Sequence, residues 1–416
     1  MMKKTTLQNG IRLILEPLPY VESASVGIWV GAGSADETVR EAGLSHVIEH
    51  MLFKGTETRS AREIAADTDA LGSNANAFTG KEATCYYIRT LSSHIEESAE
   101  ILLDMFLRSM FDPKELEREK NVIYEEMKMS EDSPEDLAHD LLTRIVFRGT
   151  NLEPDVIGTR GSVAAITRDD ILAYRKREYS PGKILISIAG NFDPDRMTDL
   201  FGRALGGIAA GEAPRTETPS AYEPTVLSKV KEVEQSNICM GLPAVPLEHE
   251  LYYPMHLLSS ILGGSMSSRL FQEIREKRGL AYSVFTSLAC YKNYGMFEIY
   301  AGVGHDRVGE TVRAIASELR ALAVHPVTAD ELRIAKEQLK AGIVYGRESI
   351  NNRMIANGRN ELLLGREIPA EEILRKIDDV TPDALASAVR LLSDPERYSV
   401  VCVGDREHPL RAYLGE

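Results

Sequence analysis

Residues 43–56 read GLSHVIEHMLFKGT, and at their centre stands His46-Val47-Ile48-Glu49-His50. On a helix, residues four apart lie on one face, so His46 and His50 aim two imidazoles at one point. Glu49 lies beside that face. Two neutral imidazoles and a nearby carboxylate are what a catalytic zinc needs: the imidazoles hold the metal and the carboxylate takes a proton from the attacking water. The other histidines, His94 and His139 among them, are expected to be surface or packing residues.

A catalytic zinc site has three protein ligands and an open position, so a third ligand must come from another element. The segment from Pro113 to Asp132 qualifies. Asp112-Pro113 starts a helix, and Leu116, Val122, Ile123 and Met127 give it an apolar stripe. Among its acids, Glu119 and Glu126 are two turns apart on one face, about 10 Å along the axis, too far for both to touch one metal. Glu125 is turned about 100° from Glu126 and points elsewhere. One of Glu119 and Glu126 is therefore the ligand and the other supports it.

GLSHVIEHMLFKGT followed by EREKNVIYEEM at residues 117–127 resembles the pitrilysin group of zinc peptidases. The likeness is greatest to the branch with mitochondrial processing peptidase and its bacterial relatives, and it runs over nearly the whole chain. It implies one zinc per chain, held by His46, His50 and Glu126, with Glu49 as the general base. Glu119 matches the family's second acidic residue, an assisting group. The resemblance also implies that Asn76 and Ala77 grip a substrate next to the zinc. The residues themselves fit that role: Asn74 to Phe78 reads as a small-residue strand, followed by a turn at Gly80-Lys81 and a β-rich strand at Thr84 to Arg89. A peptide can add to such a strand by main-chain hydrogen bonds.

The composition fits an enzyme of this kind. At 416 residues the chain suggests two domains or more, and 43% hydrophobic residues is normal for a globular protein. A net charge of −15 argues against nucleic acid as a partner. Four scattered cysteines without a C-x-x-C pair read as reduced, buried thiols. Residues 1–10 have no apolar core of a signal peptide and no run of about 18 apolar residues exists, so a cytoplasmic protein without a membrane span is expected.

Gly206, Gly207, Gly211, Pro214, Pro219 and Pro224 cluster near the middle of the chain. They mark residues 211–224 as a linker between a zinc-binding domain, 1–210, and a homologous domain, 225–416. The flanks look alike. Aligning Glu115-Leu116 with Glu331-Leu332 places Ala335 opposite Glu119 and Gly342 opposite Glu126, so the second half reads as a duplicate without the metal site. Each half mixes short β-rich runs (Ile11 to Leu15, Ser25 to Val30, Ile184 to Ala189; Met296 to Ala301, Tyr398 to Val403) with long amphipathic helices, and strand runs and helix runs segregate. Asn9-Gly10 signals a hairpin. The expected fold class is α+β: two homologous domains of the processing-peptidase type, each an antiparallel-rich sheet flanked by helices.

The second half carries two words of its own. Gly263 and Gly264 open a Gly/Ser stretch that reads as a flexible loop, and the resemblance associates a glycine-rich loop here with substrate handling. Arg275 and Tyr282, seven apart, match an arginine and tyrosine of the family's non-zinc half. Both side chains can donate hydrogen bonds to substrate carbonyls or to a developing oxyanion. Gly279 between them is a helix cap. The implied activity is that of a zinc endopeptidase acting on peptides. A non-proteolytic structural subunit of a larger complex is the alternative, but relatives of that kind lose the ligands that are present here. Long members of the family close four such domains around a chamber, so a two-domain chain is expected to pair as a homodimer, with Tyr282 of one subunit completing the zinc site of the other. Relatives that prefer a basic substrate residue carry an acid after the position of Gly158-Thr159. Here Arg160-Gly161-Ser162 stands there, and that preference is not implied.

Overall fold

The computed structural model describes residues 2–209 and 220–415, so residues 211–219 of the expected linker lie outside the described residues. The chain forms two compact units, one of residues 1–127, 154–217 and 345–368, the other of residues 128–153, 218–344 and 369–416.

The first unit holds six strands: β1 (Lys3–Thr6), β2 (Arg12–Pro17), β3 (Ser23–Val30), β4 (Asn74–Thr79), β5 (Thr84–Leu91) and β6 (Ile184–Gly190). Their order in the sheet is β1-β2-β6-β3-β5-β4. The second holds β7 (Val226–Val230), β8 (Ser236–Ala244), β9 (Ala281–Cys290), β10 (Gly295–Val303) and β11 (Ser399–Gly404), in the order β7-β11-β8-β10-β9. Apart from β1 the two sheets have one topology. The parallel pair β2–β6 corresponds to β7–β11, and antiparallel pairing follows through to an edge strand, β4 in one and β9 in the other. The duplication read from the sequence is thus present in the strand order. The five β-rich runs fall on β2, β3, β6, β10 and β11, with only Ile11 and Tyr398 just ahead of their strands, and Asn9-Gly10 sits in the β1–β2 turn with Gly10 at φ +97°.

Central strands β3 and β6 are buried almost throughout because both faces of the sheet are covered. Val26, Ile28, Ile186 and Ile188 face a core completed by Leu102 and Phe106 of the Ile95–Arg108 helix. Ile14, Trp29, Leu185 and Ala189 face Met354 of the Ile350–Leu364 helix, which reaches this sheet from the far end of the chain. Polar anchors fix that helix. Glu16 accepts hydrogen bonds from Arg353 at 2.6 Å and Asn357 at 2.7 Å, and Ser187 donates to the Met354 carbonyl at 2.8 Å. In return the first half supplies the Pro134–Val146 helix to the second sheet, where Leu142 lies against Gly241. Unit boundaries follow packing rather than chain order.

The close approach of helix and sheet depends on Gly358. A Cβ there would sit 2.2 Å from Nε1 of Trp29, the chain's single tryptophan. Gly358→Ala is therefore expected to destabilise the first unit by about 1–3 kcal/mol, the cost of overpacking a core. Thermal unfolding followed by tryptophan fluorescence reads this unit directly. An unchanged midpoint would show that the helix shifts without penalty.

Candidate metal centre

The Leu44–Leu52 helix buries Leu44, Ser45, Val47, Ile48, Met51 and Leu52, which leaves His46, Glu49 and His50 on its other face. Its start is fixed by a carboxylate. Glu37 accepts from the backbone N–H of Gly43 at 2.7 Å and of Ser45 at 2.6 Å, where the helix dipole favours negative charge. Burial nevertheless pushes the Glu37 carboxyl up to about 7. Gly43 is at φ +90° and is pressed on the Ile157 carbonyl, so glycine is required at this turn.

The Pro113–Asp132 helix starts at the expected proline and buries Leu116, Glu119, Lys120 and Ile123. Val122, expected in its apolar stripe, is exposed instead, as is Glu125. Glu126 reaches both imidazoles: its Oε2 lies 3.5 Å from His50 Nε2 and 3.8 Å from His46 Nε2. Ligand atoms of His46, His50 and Glu126 all fall within 4.8 Å of one another. Donors about 2.0 Å from a tetrahedral zinc are about 3.3 Å apart, so this set fits the ion in both chemistry and spacing.

Glu119 plays a different part. Its Oε2 lies 3.1 Å from His50 Nδ1, and its Oε1 is 2.6 Å from Lys54 Nζ. A proton on Nδ1 donated to Glu119 leaves the Nε2 lone pair facing Glu126, the usual carboxylate–histidine–metal relay. The pair left open from the residues alone is thereby divided by geometry: Glu126 faces both histidines and Glu119 backs one of them. His46 has its Nδ1 buried without a hydrogen-bond partner among the described residues. Burial, with the neighbouring His50, pushes its imidazole down to about 4, which favours the neutral form a metal needs.

Glu49 is buried enough for desolvation to raise its carboxyl, against the lowering effects of Thr79 and His50. Thr79 Oγ1 donates to Glu49 Oε2 at 2.5 Å. Thr79 was not singled out in the sequence, although it ends the same small-residue strand. Its position is visible only once β4 is seen beside the Leu44–Leu52 helix.

On β4, which is an edge strand, Asn76 Oδ1 accepts from the Ala77 N–H at 2.8 Å. Phe78 packs edge-on to Trp29 at 5.5 Å, so its side chain is engaged in the core and its backbone is what a strand partner would meet. In the second unit, Gly263 is not in a flexible loop. It is the buried last residue of the Tyr252–Gly263 helix, and a Cβ there would lie 2.6 Å from the Thr286 nitrogen. Gly264 follows as the helix cap. Arg275 and Tyr282 do come together: the guanidinium lies over the Tyr282 ring at 5.2 Å and over Phe271 at 4.8 Å. Tyr282 is the second residue of β9 and is 81% exposed. Gly279 between them is at φ +60° and ends the preceding helical turn, as its cap role requires.

Two duplicated α+β units, one bearing an inverted H-x-x-E-H site, define a zinc metalloprotease of two-domain form. Family models agree. The insulinase model, peptidase family M16, matches residues 12–160, and the model of the M16 inactive domain matches residues 165–339. The chain is 41% identical to the uncharacterized zinc protease YmxG of Bacillus subtilis, over 94% of this chain and 96% of that one. It is 38% identical to the uncharacterized zinc protease ML0855 of Mycobacterium leprae, over 96% and 91%. The chain belongs to peptidase family M16, the pitrilysin family, in its short two-domain form. Solved structures show the same fold at low identity. A peptidase M16 inactive domain from Pseudomonas fluorescens superposes with a TM-score of 0.89 at 19% identity, covering 98% of each chain. A protease from Helicobacter pylori does so at 0.88 and 20%, covering 97% and 99%. No helix among the described residues is long and apolar enough to cross a membrane.

Proposed function

We propose that this zinc protease is an endopeptidase that cuts peptides or unfolded segments bound as an added strand along β4, inside a chamber formed by two copies of the chain. The observation that carries the reading is the convergence of two imidazole Nε2 atoms on Glu126 Oε2, with Glu49 on the same helix face. His46, His50 and Glu126 would hold one zinc, which when bound supplies Lewis acidity to the water and the scissile carbonyl. Glu49 accepts the proton of the attacking water and passes it to the leaving amine. Thr79 holds that carboxylate toward the site. Asn76 and Ala77 fix the substrate backbone, and Gly263 and Gly264 contribute through the packing they allow. Tyr282 and Arg275 donate to the carbonyl oxygen as negative charge develops on it. Residues 1–210 carry the catalytic half and 225–416 the half without metal. The four cysteines are buried and form no disulfide among the described residues, which fits a reducing, cytoplasmic setting.

Thr79→Val is expected to lower kcat about tenfold or more, the worth of a hydrogen bond to a charged group, with zinc content and KM near wild type. Thr79→Ser should restore most of the rate. Loss of zinc together with activity would mean that Thr79 supports the fold and not the base.

The shared chamber is tested by complementation. Glu49→Gln and Tyr282→Phe chains are each nearly inactive alone. In a mixed two-fold dimer one site holds both defects and the other none, so up to about half of wild-type activity per mixed pair should return. If the chains exchange and no activity appears, Tyr282 does not act across the dimer. A monomer at working concentration that still cleaves a quenched peptide would remove the chamber from the proposal and leave the peptidase.

A further inference from the structure

We propose that His139, Cys239 and Glu298 form a second divalent-metal site, of zinc type, that clips the Pro134–Val146 helix onto the sheet of the second unit. None of these residues takes part in the catalytic site, and the sequence places His139 among surface or packing residues. Their ligand atoms lie within 4.8 Å of one another. His139 Nδ1 is 2.6 Å from Glu298 Oε1 and 3.7 Å from Cys239 Sγ. Zinc with a thiolate at about 2.3 Å and an imidazole at about 2.05 Å sets those two donors about 3.6 Å apart, so the sulfur–nitrogen edge is already in place. The carboxylate must move outward by about 0.7 Å to let an ion replace its direct contact with the imidazole.

The surroundings are built as those of a ligand set. Cys239 is fully buried and Glu298 is 5% exposed, whereas the His139 side chain is 26% exposed and gives an ion a way in and solvent a fourth position. Ser287 Oγ donates to the far oxygen of Glu298 at 3.1 Å and orients it. The other imidazole nitrogen, Nε2, faces Glu135 at 4.0 Å, beyond hydrogen-bond distance but on the side where an outer carboxylate orients a metal-bound histidine. The ring is stacked on Tyr300 at 5.3 Å and faces Phe285 at 6.2 Å, which limits its rotation. A His–Glu ion pair alone would explain the 2.6 Å contact. It does not explain a thiol directed at the same nitrogen. A thiolate beside imidazole and carboxylate selects zinc-like ions over magnesium or calcium.

Binding would send to solvent the thiol proton of Cys239 and any proton held between His139 and Glu298. The ion would then join residues 100 and 159 positions apart in the chain. A clip between such distant points removes much freedom from the unfolded chain.

The test uses the full chain, stripped by a chelator and refilled with cobalt(II). The catalytic set has no sulfur, so a near-ultraviolet thiolate-to-cobalt charge-transfer band reports the second site alone. Wild type should show this band and, after zinc loading, about two zinc ions per chain. Cys239→Ser should lose the band and one ion, and keep peptidase activity and its far-ultraviolet circular dichroism. Glu298→Gln, with the cysteine intact, should weaken cobalt affinity at the banded site by tenfold or more. A cobalt-loaded wild type without the band overturns the proposal, as does a band that survives Cys239→Ser. Failure of the catalytic site instead would appear as loss of the sulfur-free cobalt while the band remains.

Discussion

Glu49→Gln should bind zinc as the wild type does and turn over peptide at about one per cent of its rate or less. Proton transfer by a positioned group contributes about 10²–10⁴-fold. The substitution leaves the rest of the site alone. An amide oxygen can still accept the Thr79 hydroxyl, which now donates to Glu49 at 2.5 Å, so the side chain keeps its place. The donors facing Glu126 are on His46 and His50 and are untouched. What is lost is the capacity to take a proton. Zinc content by elemental analysis and initial rates on a quenched peptide decide the matter. More than about a percent of wild-type turnover in a zinc-loaded variant would assign the general base elsewhere.

Glu126→Gln is expected to fail one step earlier, at the metal. Its side chain is 38% exposed, so neither cavity nor strain accompanies the change. The carboxylate charge, however, is among the described residues the only one aimed at both imidazoles, at 3.5 and 3.8 Å, and a neutral amide is a poor zinc donor. Zinc should be lost on dialysis against a weak chelator, with affinity down by well over about 100-fold, since even outer carboxylates are worth 10–100-fold. Activity should fall with it. Equal zinc content in variant and wild type would falsify the assignment. Glu119 would then be the next candidate, because its Oε2 already lies 3.1 Å from His50.

The local parts of this protein were legible because they rest on local rules. Four-residue spacing put His46 and His50 on one helical face, and a seven-residue interval put Glu119 and Glu126 on another. The hairpin at Asn9-Gly10, the cap at Gly279 and the five β-rich runs are written in turn chemistry and in strand pattern. The twofold repeat was legible as well, and the common strand order of the two sheets bears it out.

Tertiary packing decided the rest, because it depends on which surfaces meet across long stretches of chain. Alternating small residues mark β4 as approachable, yet only its place beside the Leu44–Leu52 helix brings Thr79 to Glu49. A Gly-Gly-Ser run looks like a loop, and Gly263 is instead the residue thin enough to let a helix lie on β9. Val122 is apolar but is turned about 100° around the helix from Ile123, off the face that Leu116 and Ile123 bury, and it is left in solvent. Periodicity says that a helix has an apolar face and is silent on which sheet that face will cover. The Pro134–Val146 and Ile350–Leu364 helices each cover the sheet of the other half of the chain, and through that exchange His139 comes to lie beside Cys239 and Glu298.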